Sequence, residues 1–209
     1  MRNDLSSVVD HVSGQNPGHT VRVAVDGITA SGKTTTAAAL VSALRDRGRP
    51  VIALSMDGFH HPRVHRHRRG RLSPDGYYLD AYDFDALIEH VLMPLGPNGS
   101  GYYREAVIDL ATDTPLEAPR SKAPSQAVLV VDGTFLQRPG PNLHWDSTVF
   151  VDTDFDTARA RGITRDAESF GGADAAGQAF DLRYHAACRR YLDEVDPKSA
   201  SDFVVHNNT

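Results

Sequence analysis

Cysteine is almost missing from this chain. Among 209 residues only Cys188 is one, so no intrachain disulfide can form. A disulfide-stapled fold is excluded, and a reducing cytoplasm is the expected compartment. Cys188 itself reads as a core or surface residue and not as a nucleophile. Lysine is scarce too: Lys33, Lys122 and Lys198 are the only three among 22 basic residues. No apolar run approaches the roughly 20 residues that a membrane helix needs. The opening stretch MRNDLSSVVDHV is polar and amphipathic, without the apolar core of a signal peptide. No membrane partner is therefore expected. An excess of positive charge is also lacking: net charge is −5 and the pI is about 6.0. That argues against a nucleic-acid partner for the protein as a whole, although a local basic patch is still open.

The remaining composition is that of a folded chain, with 40% hydrophobic and 23% charged residues. A length of 209 residues suits one domain, taken as 1–209, with a full core. Five short β-rich runs stand out: VRVAV (Val21–Val25), VIALSM (Val51–Met56), VLVVD (Val128–Asp132), STVFVDT (Ser147–Thr153) and DFVVHN (Asp202–Asn207). Helical patterns separate them. One follows the first strand and closes at Gly48, one is expected over Asp80–Leu95, and two lie in DFDTARARGITRD and FDLRYHAACRRYLDEV. Near-continuous apolar strands alternating with helices predict an α/β fold: a parallel sheet covered on both faces, in three α/β/α layers. The least regular stretches are residues 63–76, 96–124 and 169–177, which read as functional loops or lids.

Gly27-Ile28-Thr29-Ala30-Ser31-Gly32-Lys33-Thr34 matches G-x-x-x-x-G-K-[ST] in full. A strand precedes it and a helix follows, which is the context that makes this a P-loop. The glycines let backbone N–H groups turn inward around phosphate oxygens, and the following helix adds its positive end. Gly27, Ala30, Ser31, Gly32, Lys33, Thr34 and Thr35 are the candidate nucleotide contacts. Lys33 can reach the β- and γ-phosphates, and the Thr34 hydroxyl can bind Mg²⁺. Ligands bind at the carboxyl ends of strands in such sheets, which gathers Asp26, Asp57 and Asp132 in one neighbourhood. Asp132, after VLVV, is the candidate second metal residue with Thr34; a loop-starting Asp is the plain alternative. Asp26 is expected to shape the turn. Asp57, in LSMDGFHH, is the candidate carboxylate for an acceptor hydroxyl.

Together these segments resemble the uridine kinase/phosphoribulokinase group of P-loop kinases. The resemblance rests on GITASGKTT, SMDGFHH, YYLDAYDFDAL, VLVVDGTF, a helix with Arg161 and Arg165-Asp166, and DFVVHN, and it spans Val21 to Asn207. It implies a five-stranded parallel sheet with a helical lid, at roughly 155–178 here. It implies ATP and Mg²⁺ as donor and metal, and a small hydroxylated molecule as partner. Acceptor-side loops fall at roughly 58–80 and 97–126. By that resemblance Asp57 is the catalytic acid and His60 closes the acceptor pocket. Asp80 lies near an acid that holds ribose hydroxyls, with a helix N-cap as the rival reading. Arg161 and Arg165 match lid arginines that fold over phosphates, against a solvated helix face. His206–Asn208 would lie near the adenine. Tyr77, Tyr78, Tyr102 and Tyr103 are candidates for stacking on an acceptor ring, with packing as the alternative; Tyr78 is carried as a substrate residue.

The chain also departs from that pattern. Ile108 stands where uridine kinases carry a Tyr that helps read the pyrimidine, and Asp113 where they carry a His. A further lid arginine falls on Ala158, beside Arg159. The run RVHRHRRGR, residues 63–71, holds five arginines and two histidines. It reads as a solvated loop, as an anion clamp, or, less well, as a nucleic-acid patch; His60, His61, His65 and His67 lack the usual spacing of a zinc site. The resemblance implies phosphorylation of a hydroxyl on a nucleoside or related metabolite; a sugar, sugar phosphate or vitamin-like alcohol is the alternative acceptor. A non-catalytic ATP-binding regulatory module is the alternative of another class. A homodimer is the oligomeric state allowed for.

Overall fold

The computed structural model describes residues 4–208. Helix α1 (Leu5–Gly14) starts at Asp4, whose side chain accepts from the Ser7 N–H at 3.0 Å. It buries Val8, Val9 and Val12, each worth about 1.5–3 kcal/mol when fully removed from water. The central strand β1 (Val21–Gly27) is buried along its whole length and leads through the P-loop into α2 (Lys33–Asp46). Strand β2 (Val51–Ser55) follows, then a tight turn at Met56–Phe59 and a one-turn helix at Arg63–Arg66. Helix α3 (Pro74–Asp80) comes next.

The helix expected over Asp80–Leu95 is divided differently. Asp80 ends α3, and a new helical stretch begins at Phe84, capped by Asp83, whose carboxylate accepts from the Ala86 N–H at 2.8 Å. It runs to Leu95 through a wide π turn at Ile88–Leu92. Residues 97–126 hold two very short antiparallel ladders, Tyr102–Tyr103 with Ser121–Lys122 and Ile108–Asp109 with Thr114–Pro115.

Strands β3 (Val128–Asp132), β4 (Ser147–Asp152) and β5 (Phe203–His206) complete the main sheet. Helix α4 (Phe155–Phe170) follows β4; α5 (Ala173–Ala179) comes after two glycines, and a second π turn at Phe180–Tyr184 joins it to α6 (His185–Val195). The sheet has five parallel strands in the order β2-β3-β1-β4-β5. Successive residues of β1 serve opposite cores because strand side chains alternate. Val21, Val23 and Val25 pack with α1 and α2. Ala24, with Leu129 and Val131 of β3, packs with Phe135, Leu87 and Tyr191 on the other face. The sheet is thus covered on both sides, the α/β fold expected.

Candidate active site

The five carboxyl ends converge on the P-loop. Gly32 sits at φ +89°, and a Cβ there would lie 2.2 Å from Asn207 Nδ2. Only glycine tolerates that backbone and that approach at once. Asn207, beyond β5, holds the loop by donating from Nδ2 to the Ser31 carbonyl at 2.8 Å, and Thr153 Oγ1, beyond β4, donates to the same oxygen at 2.9 Å. Ala30 has φ +65°, in the left-handed region, and lines the cleft. Ser31 Oγ is buried with no hydrogen-bond partner. Thr35 is exposed in the first turn of α2. Gly27 ends β1, where its N–H donates to Asp26 Oδ1 at 2.7 Å. Asp26 is fully buried, and Tyr191 and Gln137 also donate to it. Its contacts are those of a turn-shaping acid.

Lys33 is only 8% exposed and donates from Nζ to the Ile28 carbonyl at 2.8 Å, closing the loop on itself. Burial holds its pKa below the usual lysine value. Thr34 Oγ1 donates to Asp132 Oδ2 at 2.7 Å. The two residues expected to share a metal ion are therefore already in contact. They offer two oxygen donors beside a phosphate cradle, which suits Mg²⁺, an ion usually held by a few protein oxygens, substrate phosphates and water.

Asp57 stands at the next strand end and is open to the cleft. Crowding by protein raises its carboxyl pKa, while the charges of Lys33 and Arg165 pull the other way. Asp132 is raised too, first by burial, with Asp57 adding to the rise. The cleft has a volume of about 890 Å³ and includes Lys33, Thr34, Asp57, His60, Asp132 and Arg165 among its lining residues. The His60 ring lies 4.3 Å from that of Tyr82. Burial lowers its pKa to about 4, so it is neutral near pH 7.

The two arginines expected in a lid, Arg161 and Arg165, differ in setting. Arg165 lines the cleft and is held by Asp166 in a two-pronged pair at 2.7 and 2.8 Å. Arg161 instead donates to the Asn207 carbonyl at 2.9 Å. Ala158 is buried, and the adjacent Arg159 pairs with Asp181.

Two acceptor-side residues sit away from the positions expected of them. Tyr78 turns from the cleft: its hydroxyl donates to Glu194 at 2.9 Å and its ring lies under Arg138 and Arg190. One step along α3 rotates a side chain by about 100°, so Tyr77 faces the cleft instead, its hydroxyl within 3.1 Å of both Thr29 Oγ1 and the Tyr82 hydroxyl. Asp80 is 1% exposed and bound by Arg69 Nε at 2.7 Å and by Arg68. It caps no helix. Burial works to raise its pKa, and the two guanidiniums outweigh burial and hold it low.

Asp113 likewise accepts from the Arg63 N–H at 2.9 Å and from Arg66 at 2.6 Å. Asp80 and Asp113 thereby tie down the arginine run from two sides, which makes it an ordered wall. Tyr77, Tyr82 and Asp166, which lie in the motifs quoted above, line the cleft, and so do Arg183 and Tyr184, which no motif announces.

No protein-family model matches the chain, and no curated protein matches it by sequence. Solved structures do. A possible uridine kinase from Bacillus stearothermophilus is 22% identical, over 96% of each chain, with a TM-score of 0.74. A candidate fructose transport system kinase from Silicibacter sp. TM1040 is 23% identical, over 97% of this chain and 98% of that one, with a TM-score of 0.78. Phosphoribulokinase from Rhodobacter spheroides is 18% identical, over 90% and 70%, with a TM-score of 0.63. The chain thus shares the fold of these structures.

Proposed function

We propose that this protein is an ATP- and Mg²⁺-dependent kinase that phosphorylates a hydroxyl of a small molecule. The observation that carries this reading is the shared cleft: a complete P-loop, the Thr34–Asp132 contact and the Asp57 carboxylate all open onto one cavity. Backbone amides of residues 27–34, together with Lys33, bind the donor phosphates. Thr34 and Asp132 are the residues that would hold the metal ion, which when bound would supply positive charge beside the donor phosphates. Asp57 accepts the proton of the acceptor hydroxyl or orients it for in-line attack. Arg165, steered by Asp166, stabilises the equatorial oxygens. Arg161 acts through Asn207, keeping the end of β5 against the P-loop.

The acceptor is better read as a sugar, sugar phosphate or vitamin-like alcohol than as a pyrimidine nucleoside. Ile108 is 3% exposed, and Asp113 is engaged by Arg63 and Arg66. Neither offers a free hydrogen bond to a base. No helix among the described residues is long and apolar enough to cross a membrane, which agrees with the cytoplasmic setting we propose.

The experiment is ADP release from Mg·ATP against a panel of nucleosides, sugars, sugar phosphates and hydroxy acids, with Lys33→Ala as the blank. One acceptor that lifts ADP release far above the blank supports the reading. Tight ATP binding without acceptor-dependent ADP points instead to a regulatory nucleotide-binding module.

A further inference from the structure

The carbonyls of the P-loop are held by side chains and amides around it. Ile28 accepts from Lys33 Nζ, Ser31 accepts from Asn207 and Thr153, and Gly32 accepts from the Thr36 N–H at 2.9 Å. The Thr29 carbonyl faces α6 instead, where His185 Nε2 lies 3.2 Å away. His185 opens that helix and is 1% exposed. Its ring stands edge-on to those of Phe155 and Phe180, with centroids 4.9 and 5.2 Å away. Burial is the main cause that lowers its pKa, and the bond to Thr29 works the other way. A carbonyl can only accept, so Nε2 carries the proton. Two more residues on the same side of α6 reach the loop. Cys188 Sγ accepts from the Thr29 N–H at 3.5 Å, and Tyr191 donates to Asp26.

The Thr29 carbonyl and the Ala30 N–H belong to one planar trans peptide, so they point in opposite directions. With the carbonyl on His185, the Ala30 N–H is directed away from α6. Ala30 lines the cleft at φ +65°, a conformation that a residue with a side chain keeps only where its surroundings impose it. Lys33 makes this anchor more important. Its bond to the Ile28 carbonyl lasts only while Nζ is off the phosphates. Once Nζ turns to them, that carbonyl keeps the Ser31 N–H alone. His185 has no such second task, because it lies outside the lining of the cleft.

We propose that His185 is a positioning residue for nucleotide binding: its Nε2–H holds the Thr29–Ala30 peptide so that the Ala30 N–H faces the donor phosphates. This role rests on the P-loop reading proposed above and extends it to a residue of α6, more than 150 positions beyond the motif.

The test compares wild type with His185→Gln and His185→Leu. Glutamine carries an N–H donor of similar reach, whereas leucine keeps bulk and strands the Thr29 carbonyl. A non-hydrolysable ATP analogue with Mg²⁺ is titrated calorimetrically into each protein. Affinity should fall about tenfold in His185→Leu, the scale of one lost hydrogen bond, and return most of the way in His185→Gln. The Ala30 amide proton should move downfield on binding in wild type and His185→Gln, and less in His185→Leu. Urea denaturation of the ligand-free proteins reads the shared cost of disturbing the Phe155 and Phe180 packing. Equal instability with unequal affinity marks positioning. Equal affinity in all three proteins, or equal loss in both variants, overturns the assignment and leaves the kinase reading standing. Should His185→Leu not fold, His185→Gln and the wild-type spectrum decide. Imidazole nitrogen shifts that put the proton on Nδ1, or an Ala30 amide that ignores the analogue, overturn the assignment. A wild type that binds no nucleotide removes the P-loop reading and this role with it. The expected affinities without acceptor-dependent ADP release keep the role of His185 and remove the kinase reading.

Discussion

Thr34 Oγ1 and Asp132 Oδ2 meet at 2.7 Å although 98 positions separate them in the chain. The first lies in the first turn of α2 and the second ends β3. Parallel pairing of β1 with β3, in which Val25 lies opposite Asp132, carries both to the same edge of the sheet. Thr34→Val and Asp132→Asn are each expected to lower kcat by about 10²–10³, the usual scale for losing one electrostatic contact at a reacting centre. Nucleotide affinity measured with Mg²⁺ should fall further than affinity measured without it. Equal loss with and without the metal would count against the metal assignment.

Asp57 predicts a pH profile. Its pKa lies above the ordinary 3.8 because of crowding, and the ionised form is the one that can take a proton. Turnover should therefore rise with pH through that elevated value, and the limb should vanish in Asp57→Asn. A carboxyl with a raised folded pKa binds its proton more tightly folded than unfolded, so its ionised form costs stability at higher pH. Asp57→Asn is thus expected to melt higher than wild type at neutral pH while losing activity. Unchanged turnover with the true acceptor would remove Asp57 as the base.

Asp113 predicts an effect on one substrate alone. Asp113→Asn weakens the hold on Arg63 and Arg66. The acceptor KM should rise by about tenfold, a loss of order 1.4 kcal/mol, with the KM for ATP little changed. Amide exchange should speed up over residues 63–71. Parallel changes in both KM values would indicate a general loosening instead.

The packing of α4 can be tested directly. A Cβ on Gly162 in α4 would lie 2.0 Å from the Phe180 ring. Gly162→Ala should destabilise the protein by about 1–3 kcal/mol, as overpacking does, read by urea denaturation. Gly48→Ala is no control, because Gly48 has φ +77°. Gly14→Ala, with nothing within 4 Å of the added Cβ, is the better one and should change stability far less.

Arg22 predicts acid behaviour. Its guanidinium pairs with Asp146 at 2.9 and 3.0 Å. Burial works to raise the Asp146 pKa, and Arg22 outweighs it and holds the carboxyl below 3.8. A depressed folded pKa gives stability that is present above the unfolded value and lost as pH falls through the folded one. Asp146→Asn should cost about 3 kcal/mol near pH 7, because it strands a buried cation, and the gap to wild type should narrow below pH 3.8.

Legibility in the sequence follows physical range. The P-loop is contiguous, so its chemistry is written in eight neighbouring residues. Strands β1 to β5 are apolar runs and show themselves by composition. Asp57 and Asp132 follow from one further rule, that strand ends share an edge. Asp80 was ambiguous because an acid just before a helical pattern looks like a cap; burial against Arg68 and Arg69 decided otherwise, and Asp83 took the cap. Tyr78 and Tyr77 were indistinguishable in a YY pair, since the choice depends on how α3 is rotated against the core.

Local chemistry and period thus set the parallel α/β sheet, the phosphate cradle and the acids at its rim, because each needs only near neighbours or a repeating pattern. Packing settled the acceptor side. Whether the 63–71 arginines float or form a wall turns on Asp80 and Asp113, the second of them about 50 residues further along. That Arg183 faces the same cavity turns on where α6 and the π turn before it dock. Such pairings pit burial against ion pairing at long range, and no local pattern in the chain encodes the outcome.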